Sequence, residues 1–472
     1  MKVCFVDPKG MHFGLNTGIG YIVSYLKKVS GIDDVKVFDF NNNSKDIDAR
    51  IEEIRKYDAI GFSIKSFTRD SALEIAYKVK TDSNILFTGG PHITLDGVNF
   101  LKEHKIFDAG FMGEGEYSVS NYLKAVKSKS SPDTVKGLIY RNGEDVIVNG
   151  PGERIHELDS IPFPDYGSFD SVADGKIYNY PLVTSRGCPY LCIYCCVKGV
   201  MGKKWIARSV ENVMQELEEA RRVYGINCFN IQDDNFSLDM KRAKLFCDDM
   251  ARQNIAMSWS CPNGIRADKV DDELMSKMRK AGCFGVAMGI ESGVEKEFNS
   301  IKKGEDLSDI IKAVNLANKH GMQVFGNFII GLPHSTLSSI RESVRFAKKL
   351  KLESCIFNLF VPFPGTEVWD WVQANGRMLM DWKDGFTQGK NPKIVFETDE
   401  FQKGDRLRAY YEANVKCKNY FAFMDEHDSL LRNIISVITG IVRYDTANIL
   451  EHILWCAKHF KRIIARILEK NA

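Results

Sequence analysis

The sequence predicts an α/β chain: two successive strand–helix arrays, then a mostly helical C-terminal region. Short apolar runs alternate with stretches of helical spacing along residues 1–130, and again from about 180 to 365. That alternation is the pattern of parallel strands buried under helices. Glycines, acids and amides collect just after the runs, where such sheets and barrels bind their ligands. At 472 residues the chain is too long for one ordinary core. The expected organisation is a parallel doubly wound sheet over 1–149, a linker over 150–180, a partial (β/α)6 barrel over 181–368 and the helical region over 369–472.

In the first array the expected strands are Val3–Val6, Val35–Phe38, Ala59–Ser63, Ile85–Thr88 and Ala109–Met112. Helices are expected around Gly20–Leu26, over Ile47–Tyr57 and between the later strands. Gly61, Gly89, Gly90, Gly113 and Gly115 cluster at the strand ends. Glycine there either lets a ligand approach the backbone or simply turns strand into helix, and the residues alone leave both readings open. Gly137–Tyr140 and Val146–Val148 read as a hairpin turning at Asn142-Gly143. Pro151, Pro162 and Pro164 mark the linker. The second array has six expected strands: Pro181–Thr184, Cys228–Gln232, Met257–Cys261, Gly285–Gly289, Gln323–Ile330 and Ser354–Phe360.

Composition is that of a soluble globular protein, 44% hydrophobic and 27% charged. A net charge of +2 gives no global electrostatic case for nucleic acid. The N-terminus enters a strand at once and is broken by Asp7, so it does not read as a signal peptide. No apolar stretch reaches spanning length. The 12 cysteines, mostly scattered and without a secretory signal, suit a reducing cytoplasm.

Three of those cysteines stand within eight residues: Cys188, Cys192 and Cys195. Thiolates so close in sequence can converge on one cluster. Three cannot fill a four-iron cluster, which normally takes four, so one iron would stay open. Zinc is the first rival, but no second C-x-x-C or H-x-x-x-H pair follows. A redox dithiol would leave Cys188 without a role. Cys196, next to Cys195, is read as packing.

Cys188-Pro189-Tyr190-Leu191-Cys192-Ile193-Tyr194-Cys195 resembles the C-x-x-x-C-x-aromatic-C signature of radical S-adenosylmethionine (SAM) enzymes, with Tyr194 at the aromatic position. Asn16–Tyr21, Gly89–Thr94 and Gly113–Glu116 look like the N-terminal half of the cobalamin-binding members of that family. The resemblance spans roughly residues 1–370. It implies a flavodoxin-like (Rossmann-type) first domain and a TIM-barrel-like second one. It also implies a [4Fe–4S] cluster on the three cysteines, SAM chelated to the open iron, and cobalamin. Reduction of SAM by the cluster would yield methionine and a 5′-deoxyadenosyl radical. Ser66, Gly89, Gly90, His92, Thr94, Gly113 and Glu114 are the cobalamin-side residues it implies. Ser63–Thr68 would lie under the lower corrin face. No D-x-H-x-x-G stretch is present, and His12 lacks that spacing, so no histidine is expected on cobalt.

The later strand ends carry the expected SAM contacts. Asp233, Asp234 and Asn235 follow the second strand and either accept from the SAM ammonium or cap the next helix. Arg266, after the third, suits a carboxylate, because guanidinium binds it with two parallel bonds. A surface position is the commoner fate of such an arginine. Glu291 and Ser292 follow the fourth strand; Glu291 would bind a ribose hydroxyl or the ammonium. Gly331, after the fifth, resembles the family's adenine-side segment. Catalytic residues proper are not read from the sequence.

The implied reaction is methyl transfer to an unactivated carbon, with methylcobalamin as donor and a second SAM to remethylate it. Alternatives are radical cyclisation, rearrangement or C–C bond formation without methylation, or a cobalamin- or redox-sensing binding protein with a structural cluster. The implied partners are a small-molecule or lipid substrate and an electron donor such as flavodoxin or ferredoxin. In the C-terminal region Trp369, Trp371 and Trp382 either shape a lid or pack. Leu430–Leu468 carries an apolar stripe at helical spacing, with Lys458, Lys461, Arg462, Arg466 and Lys470. It is read as a core face or as a peripheral membrane contact.

Overall fold

The structure is a computed structural model describing residues 1–10, 14–253, 255–386, 390–425 and 428–456. It divides into two compact units. The first comprises residues 1–189, 196–236 and 241–263; the second comprises 190–195, 237–240 and the chain from Gly264 onward. The second strand–helix array is shared between them, three long strands to each.

In the first unit, β1 (Val3–Asp7), β2 (Val35–Asp39), β3 (Ala59–Ser63), β4 (Ile85–Gly89) and β5 (Ala109–Phe111) are parallel. The antiparallel pair β6 (Leu138–Asn142) and β7 (Asp145–Val148) completes the order β2-β1-β3-β4-β5-β6-β7. All of β1 is buried, as a strand covered on both faces must be. The hairpin turns one residue later than expected: Asn142 pairs with Asp145, leaving Gly143-Glu144 as a two-residue loop with Gly143 at φ +64°. Helices α1 (Thr17–Lys28), α2 (Ile47–Ile54), α3 (Arg69–Val79), α4 (Pro91–Glu103) and α5 (Gly115–Ser128) separate the strands. Helix α2 stops three residues short of the expected Tyr57. The chain order reverses between β1 and β3, opening a crevice at their carboxyl ends.

The same unit continues with β8 (Tyr180–Leu182), β9 (Ser185–Arg186), α6 (Val197–Met201), β10 (Ile206–Ala207), α7 (Val210–Tyr224), β11 (Cys228–Ile231), α8 (Met240–Arg252) and β12 (Ser258–Cys261). Strands β8, β11 and β12 are parallel in that order. The short strands β9 and β10 pair antiparallel, a clasp at the two ends of the chain segment that carries the cysteines.

The second unit holds α9 (Asp272–Lys280), β13 (Cys283–Glu291), α10 (Glu295–Ser300), α11 (Leu307–Lys319), β14 (Gln323–Ile330), α12 (Leu337–Lys349), β15 (Ser354–Leu359) and α13 (Glu367–Asn375). Strands β13, β14 and β15 are parallel. A two-residue pair, β16 (Arg377–Met378) and β17 (Phe396–Glu397), precedes α14 (Lys403–Lys416) and α15 (Leu430–Tyr444). Helix α14 covers the β15 edge, where the buried Asn414 amide accepts from Phe357 N–H at 3.1 Å and donates to its carbonyl at 3.0 Å. An edge strand is thereby closed by a side chain.

Trp369, Trp371 and Trp382 pack with Val372, Val395 and Phe396, as the packing reading expects. The apolar stripe begins in α15, breaks at Asp445 and resumes as helix over 449–456. Lys458, Lys461, Arg462, Arg466 and Lys470 lie outside the described residues.

Candidate functional site

The crevice of the first unit is a cavity of about 400 Å³ at the carboxyl ends of β1, β3, β4 and β5. Its wall includes Asn16, Ser63, Lys65, Gly89, Gly90, Thr94, Gly113 and Glu114. Asn16 caps α1, accepting from Ile19 N–H, and donates to Asp7 Oδ1 at 2.8 Å and Ser63 Oγ at 3.0 Å. Burial pushes the Asp7 carboxyl up to about 7, although Lys65 draws it down. Gly90 sits at φ +100°, where a Cβ would lie 2.8 Å from the Ile64 carbonyl, so backbone conformation and close packing both demand glycine. Thr94 Oγ1 accepts from Gly113 N–H at 3.0 Å and ties the two glycine turns together.

Other expected residues lie elsewhere. Gly61 is mid-strand, and a Cβ there would collide with the rings of Phe87 and Phe5, so it is a packing glycine. His92 is fully buried behind the cavity, with Nδ1 3.1 Å from Ser66 Oγ and its ring edge-on to Phe100. Neither Ser66 nor His92 is among the residues that line the cavity. His12 lies outside the described residues.

Glu114 reaches the cavity wall, but both its oxygens are engaged. Oε1 accepts from Arg186 at 2.7 Å, and Oε2 accepts from Ile155 N–H at 2.8 Å and lies 3.0 Å from Arg154. Arg186 donates to Glu116 Oε1 at 2.8 Å as well, and its guanidinium lies 4.9 Å from the Tyr21 ring centre. Burial opposes the Arg186 charge; Glu116 and Glu114 outweigh it and hold the group protonated. Glu114 is therefore part of a buried ion-pair network rather than a free ligand contact. In sequence, Thr184-Ser185-Arg186-Gly187 strengthens the cysteine signature it precedes, but it gives Arg186 no role of its own.

The strand ahead of the cysteines is fixed by Asp233. Its carboxylate accepts from Thr184 N–H at 2.6 Å, Thr184 Oγ1 at 2.5 Å and Ser185 Oγ at 2.6 Å. Burial raises its pKa, and these donors partly restore the charge. Asp234 accepts from Gly187 N–H at 2.8 Å and also lines the cavity. The Asn235 amide nitrogen lies 3.9 Å from Cys188 Sγ. These three residues thus position the cysteine segment, and both Asp233 oxygens are already engaged within the protein. Cys196 lines the cavity at the start of α6, and burial raises its thiol pKa.

In the second unit the 192–195 turn closes with Cys195 N–H donating to Cys192 O at 3.1 Å. It is anchored through Ile193, whose N–H donates to Ile301 O and whose carbonyl accepts from Val368 N–H, both at 3.1 Å. Tyr194 donates to Glu291 Oε1 at 2.9 Å; burial first, then Glu291, keeps that phenol protonated. Glu291 ends β13 after a bulge and holds φ +61°, a left-handed conformation costly for a residue with a side chain and concentrated at functional sites. Lys303, buried, lies 3.4 Å from Glu291 and 2.7 Å from Glu305, whose charges outweigh the burial that would discharge it. Lys303 and Glu305 were missed because Lys302-Lys303-Gly304-Glu305 reads as a solvated charge run.

Arg266 does not stand open for a carboxylate. Its Nε donates to Asp268 at 2.8 Å, Nη1 to Lys303 O at 2.8 Å and Nη2 to Gly304 O at 3.2 Å, while its plane covers Tyr190 at 3.4 Å. Ser292 donates to Glu297 Oε2 at 2.7 Å and accepts from Val294 N–H. Both are holding residues, which corrects their expected role. Gly331 follows β14 at φ +105°, against Arg406.

Cys188, Cys192 and Cys195 are all half-buried. Among the described residues no three His, Cys, Asp or Glu side chains are gathered to hold a metal ion. Metal sites are seldom preformed without their metal, and three soft thiol donors within eight residues of sequence suit an iron–sulfur cluster. The glycine turns and the enclosed volume of the first unit suit the edge of a broad flat ligand.

Comparison with known proteins agrees with both assignments. Residues 12–123 match the B12 binding domain and residues 182–347 the radical SAM superfamily. An uncharacterised methyltransferase of Pyrococcus horikoshii is 29% identical over 434 residues, 90% of this chain and 93% of the relative. The anaerobic magnesium-protoporphyrin IX monomethyl ester cyclase of Rubrivivax gelatinosus is 24% identical over 78% of this chain and 69% of its own. The radical SAM methyltransferase TsrM of Kitasatospora setae, solved with cobalamin and a [4Fe–4S] cluster bound, superposes with a TM-score of 0.74 at 16% identity, covering 98% of this chain and all of that one. The chain thus joins a B12 binding domain to a radical SAM superfamily domain.

Proposed function

We propose that this enzyme transfers a methyl group to an unactivated carbon of a small-molecule or lipid substrate. When bound, the cluster and SAM supply a radical that takes a hydrogen atom, and cobalamin carries the methyl group. One observation supports this reading above the rest. Ser185 and Arg186, the residues just ahead of the first cysteine, are themselves part of the cavity wall. The chain thus passes from the cavity wall directly into the segment that would hold iron, which suits a reaction using both cofactors.

The chain's own residues have distinct tasks in it. Cys188, Cys192 and Cys195 hold iron. Glu291 meets SAM: its Oε1 is set by Tyr194, and among the described residues Oε2 has no protein donor. Asp233 and Arg186 hold the approach to Cys188. Electrons come from a one-electron donor such as flavodoxin or ferredoxin.

The test is product balance. The full chain, reconstituted anaerobically with iron, sulfide and hydroxocobalamin, is given SAM, a reductant and a substrate panel. Methyl transfer at an unactivated carbon yields 5′-deoxyadenosine and S-adenosylhomocysteine together. The cyclase relative favours a second reading, which yields 5′-deoxyadenosine alone. S-adenosylhomocysteine alone would move the methyl group to a carbon that needs no hydrogen abstraction. Neither product would refute the reading.

A further inference from the structure

Five arginines of the described residues are almost wholly buried: Arg50, Arg186, Arg208, Arg266 and Arg406. Four have carboxylates beside them. Arg50 meets Asp170, Arg186 meets Glu114 and Glu116, Arg208 meets Glu216, and Arg266 meets Asp268 and Glu305. Arg406, in the first turn of α14 and 2% exposed, has none within ion-pair distance among the described residues; Glu397 alone acts on its charge, from farther off. Its Nε donates to Phe401 O at 2.8 Å, and its guanidinium carbon lies 4.0 Å from the Phe396 ring centre and 4.9 Å from that of Phe401. Neither Nη has an acceptor among the described residues. Glu397, the nearest acid in sequence, is occupied by Arg377 and by Lys403 N–H.

The free edge of this guanidinium has a defined direction. A Cβ on Gly331 would lie 2.3 Å from Nη1 and 3.2 Å from Cζ. Gly331 stands at the carboxyl end of β14, the end at which strand–helix arrays bind ligands. Glycine there is what lets the guanidinium lie so close to the β14 end. Burying a cation is costly unless it is paired, and Glu397, already held by Arg377 and Lys403 N–H, offsets only part of that cost at Arg406.

We propose that Arg406 binds an oxyanion, carboxylate or phosphate, on the substrate at the carboxyl end of β14. The planar fork of arginine pairs with either through two parallel hydrogen bonds. The substrate role rests on the methyltransferase reading; the oxyanion site itself does not. Burial lowers the Arg406 pKa to about 9, whereas Arg186, Arg208 and Arg266 are held up by their carboxylates, as expected of a site lacking its anion.

The probes are inorganic phosphate and acetate, titrated into the full-length reconstituted protein in an otherwise oxyanion-free buffer while thermal unfolding is followed. Wild type is expected to show a saturable rise in melting temperature, with phosphate if the substrate is phosphorylated and with acetate if it is a carboxylic acid. Arg406→Met should lose that rise and, without anion, melt no lower than wild type. Arg406→Lys should keep a weaker response. Equal responses in wild type and Arg406→Met, or no wild-type response to either probe, would overturn the site. So would an anion-free Arg406→Met that melts several degrees lower, since the arginine would then be structural. SAM cleavage by wild type in the same preparation tests the radical reading separately.

Discussion

On the proposed reading, Glu291 is the residue that meets SAM. Its left-handed backbone persists because Tyr194 and Lys303 fix its side chain from two sides. Glu291→Gln should weaken SAM binding by about 1.5–3 kcal/mol, the worth of a hydrogen bond to a charged group, while leaving iron bound. Equilibrium dialysis with iron analysis checks both. Arg266→Ala behaves differently, because Arg266 holds the 303–305 loop. Removing a buried, paired arginine should cost stability by about 3–5 kcal/mol, read as a shifted denaturant midpoint.

Asp7 gives a pH prediction. Its folded pKa of about 7 lies above its unfolded value of 3.8, so the folded state binds the extra proton between them. The stability that this proton confers is present below the unfolded value and lost as pH rises through 7. Asp7→Asn, which still accepts from Asn16, should flatten that decline and be the more stable protein above neutrality. Parallel midpoint curves from pH 5 to 8 would show the carboxyl to be charged throughout.

At the scale of elements, α15 and the turns after it leave apolar side chains in solvent. Leu431, Ile434, Ile435, Ile438 and Val442 form a stripe 37–67% exposed. Residues 430–472 carry seven Lys or Arg against three Asp or Glu. No helix of the described residues is long and apolar enough to cross a membrane. An amphipathic face with basic flanks suits the surface of an anionic bilayer. The full chain should float with phosphatidylglycerol vesicles and not with phosphatidylcholine, and the double variant Ile435→Asp, Ile438→Asp should stay in solution. Binding to both vesicle types, or flotation of the double variant, would reject the contact.

For the molecule as a whole, the expectation is that cobalamin survives gel filtration with no nitrogen ligand on cobalt. His92 is sequestered by Ser66 and Phe100 behind the cavity. Electron paramagnetic resonance of the Co(II) form should lack nitrogen superhyperfine splitting. A splitting that vanishes in His92→Gln would contradict the burial seen here.

The sequence by itself determined the strand–helix alternation, nearly every strand to within two residues, and the three cysteines. Those signals are local: periodicity, turn glycines and spacing within eight residues. Only the tertiary structure decided which polar residues are free. Asp233, Glu114, Arg266 and Ser292 follow strands as cofactor ligands do, yet their partners Thr184, Arg186, Lys303 and Glu297 have taken their hydrogen bonds. Nothing in the sequence marks Arg406, and its burial without a close carboxylate appears only when α14 folds against Gly331. A residue's type states which bonds it can make. Whether a neighbour has already satisfied them depends on residues distant in the chain, and no local pattern encodes that.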